Sequence, residues 1–210
     1  MRQWGIAEHA AAMGLHLPAA APDQFAALLQ LLGKWNRVYN LTALRDEQEL
    51  VSHHLMDSLS VVTLLPAGRL IDVGSGGGFP GIPIAVAEPA REVVLLDSNS
   101  KKTAFLRQAV AELGLPNVSV QAQRVEDYQP QRRFDVVISR AFSDLRSFLE
   151  LAGHLCNENG RLVAMKGVYP ETELDCLPPG CVEKVVRLEV PMLDEQRHAV
   201  FLHPIRAEVS

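Results

Sequence analysis

With 210 residues, 48% of them hydrophobic, the chain suits one domain with an extension and can supply a sizeable core. A net charge of −5 excludes a general nucleic-acid sponge, and no apolar run approaches the roughly 20 residues of a membrane helix. The opening MRQWGIAEHAAAMG lacks the basic-then-apolar form of a signal peptide. Cys156, Cys176 and Cys181 match no metal spacing, so a reducing cytoplasm is expected, with no membrane and no metal.

Residues 1–68 read as a helical extension. Pro22-Asp23 opens a segment whose Phe25, Leu28, Leu29, Leu32, Trp35 and Val38 form one apolar stripe at three-and-four spacing. Lys34, Asn36 and Arg37 fall off that stripe. Asn40-Leu41-Thr42 is a turn. Asp46 caps a second expected helix through Leu50, Val51, Leu55 and Leu59 to Leu64, and Pro66-Ala67-Gly68 marks a boundary. His53-His54 beside Asp57 is expected to be structural, or a contact to the main domain.

Residues 69–210 then alternate strand and helix. Strands are expected at Leu70–Val73, 92–96, 118–122, Phe134–Ser139 and 161–165. Helices are expected at 80–87, from a Ser98 or Ser100 cap to Gly114, and from Asp144 to Leu155, with Gly160 as a stop and Cys156 deep in that helix. A helical turn at 171–177 and an antiparallel pair at 182–190 and 197–203 close the chain. Regular alternation of this kind predicts an α/β fold, a mostly parallel Rossmann-like sheet with helices on both faces.

The segment RLIDVGSGGGFPGIP, residues 69–83, organises the reading. A strand containing Asp72 stops at Gly74, Gly76, Gly77 and Gly78, and a helix restarts after Phe79-Pro80. Glycine admits unusual backbone angles and lets a ligand touch bare main chain. The result is a βα turn of the nucleotide-binding kind. No Gly-Lys-Ser/Thr follows, which excludes a P-loop. The Asp72-x-Gly74-x-Gly76-x-Gly78 spacing is the pattern of S-adenosylmethionine (SAM) binders. The dinucleotide fingerprint fits formally from Gly76 to Gly81, so an NAD-dependent oxidoreductase stays open on this motif alone.

Ligands of such sheets sit beyond the carboxyl ends of the strands. Asp97, 25 residues after Asp72, ends strand two and can accept ribose hydroxyls, or cap a helix. Val125-Glu126 follows strand three, where an acid can bracket an adenine. Ser139-Arg140-Ala141-Phe142 follows strand four, facing a methyl acceptor, where arginine can bond a ligand or form an internal salt bridge. Residues 101–146 carry eight Lys/Arg against five Asp/Glu, which permits a local basic face.

These segments together resemble the RsmG (GidB) family of bacterial 16S rRNA methyltransferases. The resemblance rests on Lys34-Trp35-Asn36, Tyr39-Asn40-Leu41-Thr42, His54 with Asp57-Ser58, and the stretch from Ile71 to Pro83. It continues through Leu95-Leu96-Asp97-Ser98, Lys101-Lys102, Phe105-Leu106, Arg124-Val125-Glu126, Ser139 to Phe142 and Lys166-Gly167. It implies SAM-dependent methylation of N7 of a guanine, guanine 527, in 16S rRNA of the small ribosomal subunit. It also implies that Gly74, Phe79, Val125, Glu126 and Arg140 line the SAM site. No catalytic base is expected, because N7 carries no proton; Arg140 takes a positioning role. Lys34, Arg37, Lys101, Lys102, Arg107, Arg146, Lys166 and Arg197 are the candidates for RNA contacts. The alternatives are methylation of another RNA or a small molecule, and a SAM-binding module without transfer.

Overall fold

The computed structural model describes residues 4–205. The first three residues of the expected extension and the last five of the main domain lie outside the described residues.

The extension is helical. α1 (Ile6–Ala12) is followed by α2 (Ala21–Tyr39), which has proline in its first turn and Asn40 in the left-handed region at its end. Phe25, Leu28 and Leu32 are fully buried, each contributing about 1.5–3 kcal/mol by leaving water. The apolar stripe does not hold to the end of the helix. Val38 is 68% exposed, while off-stripe Asn36 is buried. The reason is tertiary. Asn36 Nδ2 donates to Leu44 O and its Oδ1 accepts from Thr42 N, so the turn after α2 folds back over the polar side.

The second expected helix is broken. Asp46 does cap it, accepting from Gln48 N and Glu49 N, but α3 covers only Glu47–Glu49. A π-helical turn, Leu50–Met56, then widens the backbone before α4 (Asp57–Ser60), and a 3-10 turn ends the run at Val62–Leu64. Such insertions are not visible in an apolar pattern, and they often sit where side chains must be re-aimed.

The sheet follows. Among the described residues it has seven strands, β1 (Leu70–Val73), β2 (Val93–Leu96), β3 (Val118–Gln121), β4 (Phe134–Ser139), β5 (Cys156–Lys166), β6 (Val182–Arg187) and β7 (His198–Leu202). Their order is β3-β2-β1-β4-β5-β7-β6. The first five are parallel; β7 runs antiparallel to both β5 and β6. β1 and β2 are buried throughout, as central strands in a sheet covered on both faces should be. α5 (Gly81–Ala87), α6 (Ser100–Glu112), α7 (Leu145–Ala152) and α8 (Glu171–Asp175) connect them. Leu28 and Leu32 of α2 share one apolar cluster with Leu70, Leu95 and Phe105, so the extension covers the same core as the sheet.

Three expectations are corrected here. The helix opened by Asp144 stops at Ala152, a 3-10 turn covers Gly153–Leu155, and Cys156 begins β5 instead of lying in a helix. Gly160 is not a helix stop but a strand residue. A side chain there would meet Asp135 O and Cys156 Sγ at 2.8 Å, where β5 bulges between its pairings with Phe134 and Val136. The cap of α6 is neither serine. Asn99 accepts from Lys101 N and Lys102 N, which leaves Asp97 for other work.

Candidate cofactor and substrate site

The strand order reverses between β1 and β4, and ligands of open α/β sheets bind at such a switch point. The glycine turn sits there. Gly74 has φ +75°, and a Cβ on it would lie 2.7 Å from the Ala141 Cβ across the switch. Ser139 Oγ ties the two strand tips together, donating to Val73 O at 2.7 Å and accepting from Ala141 N. Beneath the turn, Asp72 is fully buried. Its Oδ2 accepts from Gly81 N at 2.9 Å, and its Oδ1 has no hydrogen-bond partner among the described residues. Burial pushes its carboxyl up to about 7, against the pull of the Gly81 amide. Asp72 therefore braces the turn from below and does not line the crevice.

Above the strand tips lies a cavity of about 350 Å³. Gly74, Asp97, Val125 and Glu126 line it, together with Lys102 and Phe142. Asp97 is held rigidly: Oδ2 accepts from Gly76 N at 3.0 Å and Oδ1 from Asn99 N at 2.8 Å. Each oxygen keeps a second lone pair for a ligand hydroxyl. Glu126 is tied to Arg124 by bonds of 2.7 and 3.1 Å, and that partner, after its own backbone amide, holds its carboxyl below the usual range. Apolar Val125, Phe142 and Leu151 supply a surface for a flat ring, and bare main chain at Gly74 lets a ligand approach closely. This donor set, with acids for hydroxyls and amines and an apolar slot between them, fits an adenosyl group.

Arg140 does not line that cavity. Its Nη1 donates to His53 O at 2.9 Å and Asp57 Oδ2 at 3.1 Å, and its Nη2 donates to His54 Nδ1 at 3.0 Å. The internal salt bridge that the sequence left open as an alternative is thus present. Burial and then the Arg140 charge push His54 down to about 3. The ring is neutral, with its proton on Nε2 facing Thr42 Oγ1 at 2.8 Å, and it stacks on Phe79 at 4.8 Å. Buried Asp57 also lies 3.4 Å from Arg197 Nε, while Arg197 Nη1 pairs with Glu195 at 3.0 Å. The π-helical turn, the tip of β4 and the approach to β7 are thereby joined. No sequence pattern signalled this network beyond the bare nearness of His53-His54 to Asp57.

The RNA candidates divide. Lys34, Arg37, Lys101 and Arg107 are exposed and take part in none of the ion pairs among the described residues. Lys102 reaches the cavity instead. Arg146 is exposed but paired with Glu150. Lys166 bonds Glu173 and the carbonyls of Phe142 and Ser143, and Arg197 serves Asp57 and Glu195. Both side chains are only partly exposed and are already paired with carboxylates of this chain.

This sheet order, with a glycine turn at its switch point and an acid at the next strand tip, is the Rossmann-like fold shared with SAM-dependent methyltransferases. A SAM-dependent methyltransferase from Aquifex aeolicus superposes with a TM-score of 0.61 over 79% of this chain and 97% of that one, at 20% identity. TYW2 from P. horikoshii superposes with a TM-score of 0.56 at 11% identity, over 71% of this chain and 62% of that one. The chain belongs to the GidB family, described as rRNA small subunit methyltransferase G, which it matches over residues 22–200. It is 51% identical to the ribosomal RNA small subunit methyltransferase G of Laribacter hongkongensis, covering 94% of each chain. It is 54% identical to that of Chromobacterium violaceum, over 90% of this chain and 92% of the relative.

Proposed function

We propose that the chain transfers a methyl group from SAM to N7 of a guanine in 16S rRNA of the small ribosomal subunit, guanine 527 by the family resemblance. The observation that carries this reading is the family match over residues 22–200, with the cavity at the strand tips built from that same stretch. When bound, SAM supplies a methyl group on a positively charged sulfur. Asp97 would hold the ribose hydroxyls, Glu126 the adenine amine, and Gly74 the chain approaching the turn.

Guanine N7 has an in-plane lone pair and no proton to lose, so the protein need supply no general base. Alignment of the reacting atoms alone can accelerate such a step greatly. Arg140 is suited to that task and to no proton transfer, since a guanidinium stays protonated. Its three acceptors fix the tip of β4, which forms one wall of the cavity through Ala141 and Phe142. N7 in duplex RNA lies in a deep, narrow groove that side chains cannot read, so the target guanine must sit in a loop or be flipped out.

Tritium-labelled SAM incubated with naked 16S rRNA, intact small subunits lacking the modification, and total protein tests the reading. Label in the rRNA, with chemical cleavage at one N7-methylated guanine, is the expected result. Label in protein, or at a base other than guanine, overturns it.

A further inference from the structure

The turn at the end of α2 carries an exposed aromatic surface that the core does not explain. Val38 and Tyr39 are 68% and 43% exposed, although the last stretch of an amphipathic helix would ordinarily tuck such residues down. Tyr39 is braced from behind. Trp35 lies 5.1 Å from its ring centroid, and Trp35 is itself fixed by Phe105 at 5.8 Å and by a 3.0 Å bond from its Nε1 to Gln108 of α6. The following turn is clamped as well. Arg45 donates to Asn36 O and Asn40 Oδ1, at 2.9 and 2.6 Å. A large ring is therefore braced by Trp35 at the surface while the residue stays 43% exposed.

One cation lies beside the ring and two more lie further round the helix that carries it. The Lys101 ammonium lies 5.7 Å from the Tyr39 centroid. Lys34 and Arg37, with Val38, occupy one solvent-facing stripe of α2 at three-and-four spacing, within two turns of Tyr39. All three cations lack a carboxylate partner among the described residues, in a chain whose net charge is −5. Lys102, the next residue after Lys101 on α6, lines the cavity. An exposed ring with an unpaired cation beside it, on a helix that also carries a cationic stripe, is complementary to a stacked base with its flanking phosphates.

We propose that Tyr39, with Lys34, Arg37 and Lys101, forms a stacking platform for single-stranded RNA flanking the target nucleotide. This rests on the rRNA reading above and adds to it a base-stacking residue and a strand state. Lys101 and Lys34 hold the backbone, and the exposed side of the Tyr39 ring takes one unpaired base. Duplex RNA offers that ring no free base face and gains only the charge contacts.

The test measures binding of the full chain to a fluorescein-labelled, mixed-sequence single strand of about 12 nucleotides and to its duplex. Tyr39→Ala and Tyr39→Phe are compared with the parent. Tyr39→Ala should weaken single-strand binding about tenfold and duplex binding little, whereas Tyr39→Phe, which keeps the ring, should bind as the parent does. Lys101→Ala should lower the slope of log affinity against log salt by about one, on both forms. An unchanged SAM affinity in each variant certifies the fold. Equal affinity of parent and Tyr39→Ala for the single strand overturns the platform, as does a parent that prefers duplex. A shift of Tyr39→Ala from dimer to monomer in sedimentation, with RNA affinity unchanged, assigns the patch to a second copy of this chain and also overturns it. Methyl transfer from tritiated SAM to small-subunit RNA is followed separately in the parent. Its absence sinks the proposed function, while the binding ratios still decide the platform.

Discussion

At Asp72 the fold keeps a carboxylic acid where an apolar side chain would fill the space. Its Oδ2 satisfies the first amide of α5, and the site is so tight that a Cβ at Gly81 would collide with Leu95 and lie 2.7 Å from that oxygen. Burial raises the carboxyl to about 7, so the folded state favours the neutral acid. The stability contributed by this group is complete below the unfolded pKa near 4 and is lost as pH rises through about 7. Asp72→Asn mimics the neutral acid and titrates nothing. Between pH 5 and 8 the parent should lose about 2 kcal/mol of unfolding free energy relative to Asp72→Asn, read from urea melts at each pH. Parallel pH curves for the two proteins would contradict the burial argument.

The widened turn Leu50–Met56 and the tip of β4 act as one unit through Arg140. Removing its guanidinium strands Asp57, which is buried, with Arg197 at 3.4 Å as its remaining cation. It also frees His54 from the contact that fixes its tautomer. Breaking a buried pair from one side is costly because the other charge stays desolvated. Arg140→Ala should therefore lower stability by about 3 kcal/mol and reduce methyl transfer. The pH dependence of the residual rate should keep its form, since no proton-transfer group has been removed. Thermal melts and a pH-rate series on the variant check both parts, and a lost limb in that series would restore a general base to the mechanism.

Across the whole molecule, the extension and the sheet bury one apolar cluster, so a ligand bound at the strand tips stabilises everything packed on them. SAM at about 100 times its dissociation constant should add roughly 2.7 kcal/mol and raise the melting temperature by about 5–10 °C. NADH at the same concentration should leave it unchanged. Asp97→Ala should remove most of the SAM-induced rise, because the ribose would lose its pre-aimed acceptor. A rise that survives this substitution would move the adenosyl site away from the β2 tip.

The chain pattern determined much of this protein unaided. The segments 70–73, apolar but for Asp72, and 93–96 read as strands covered on both faces, and the glycine cluster after Val73 reads as a tight βα turn. Those two facts placed Asp97, Val125 and Glu126 near one crevice before any coordinates. Periodicity counts only apolar spacing, however, and three features were decided by specific polar contacts and close packing. Asn99 capped α6 in place of the serines, leaving both Asp97 oxygens to fasten Gly76 and Asn99. Gly160 entered a bulged strand because the β4 backbone runs too close for a side chain. Lys166 and Arg197, indistinguishable in sequence from surface cations, were drawn inward by Glu173 and Asp57. A charge's partner is chosen by the folded chain as a whole, so composition can count cations, but only packing says which are free to meet a ligand.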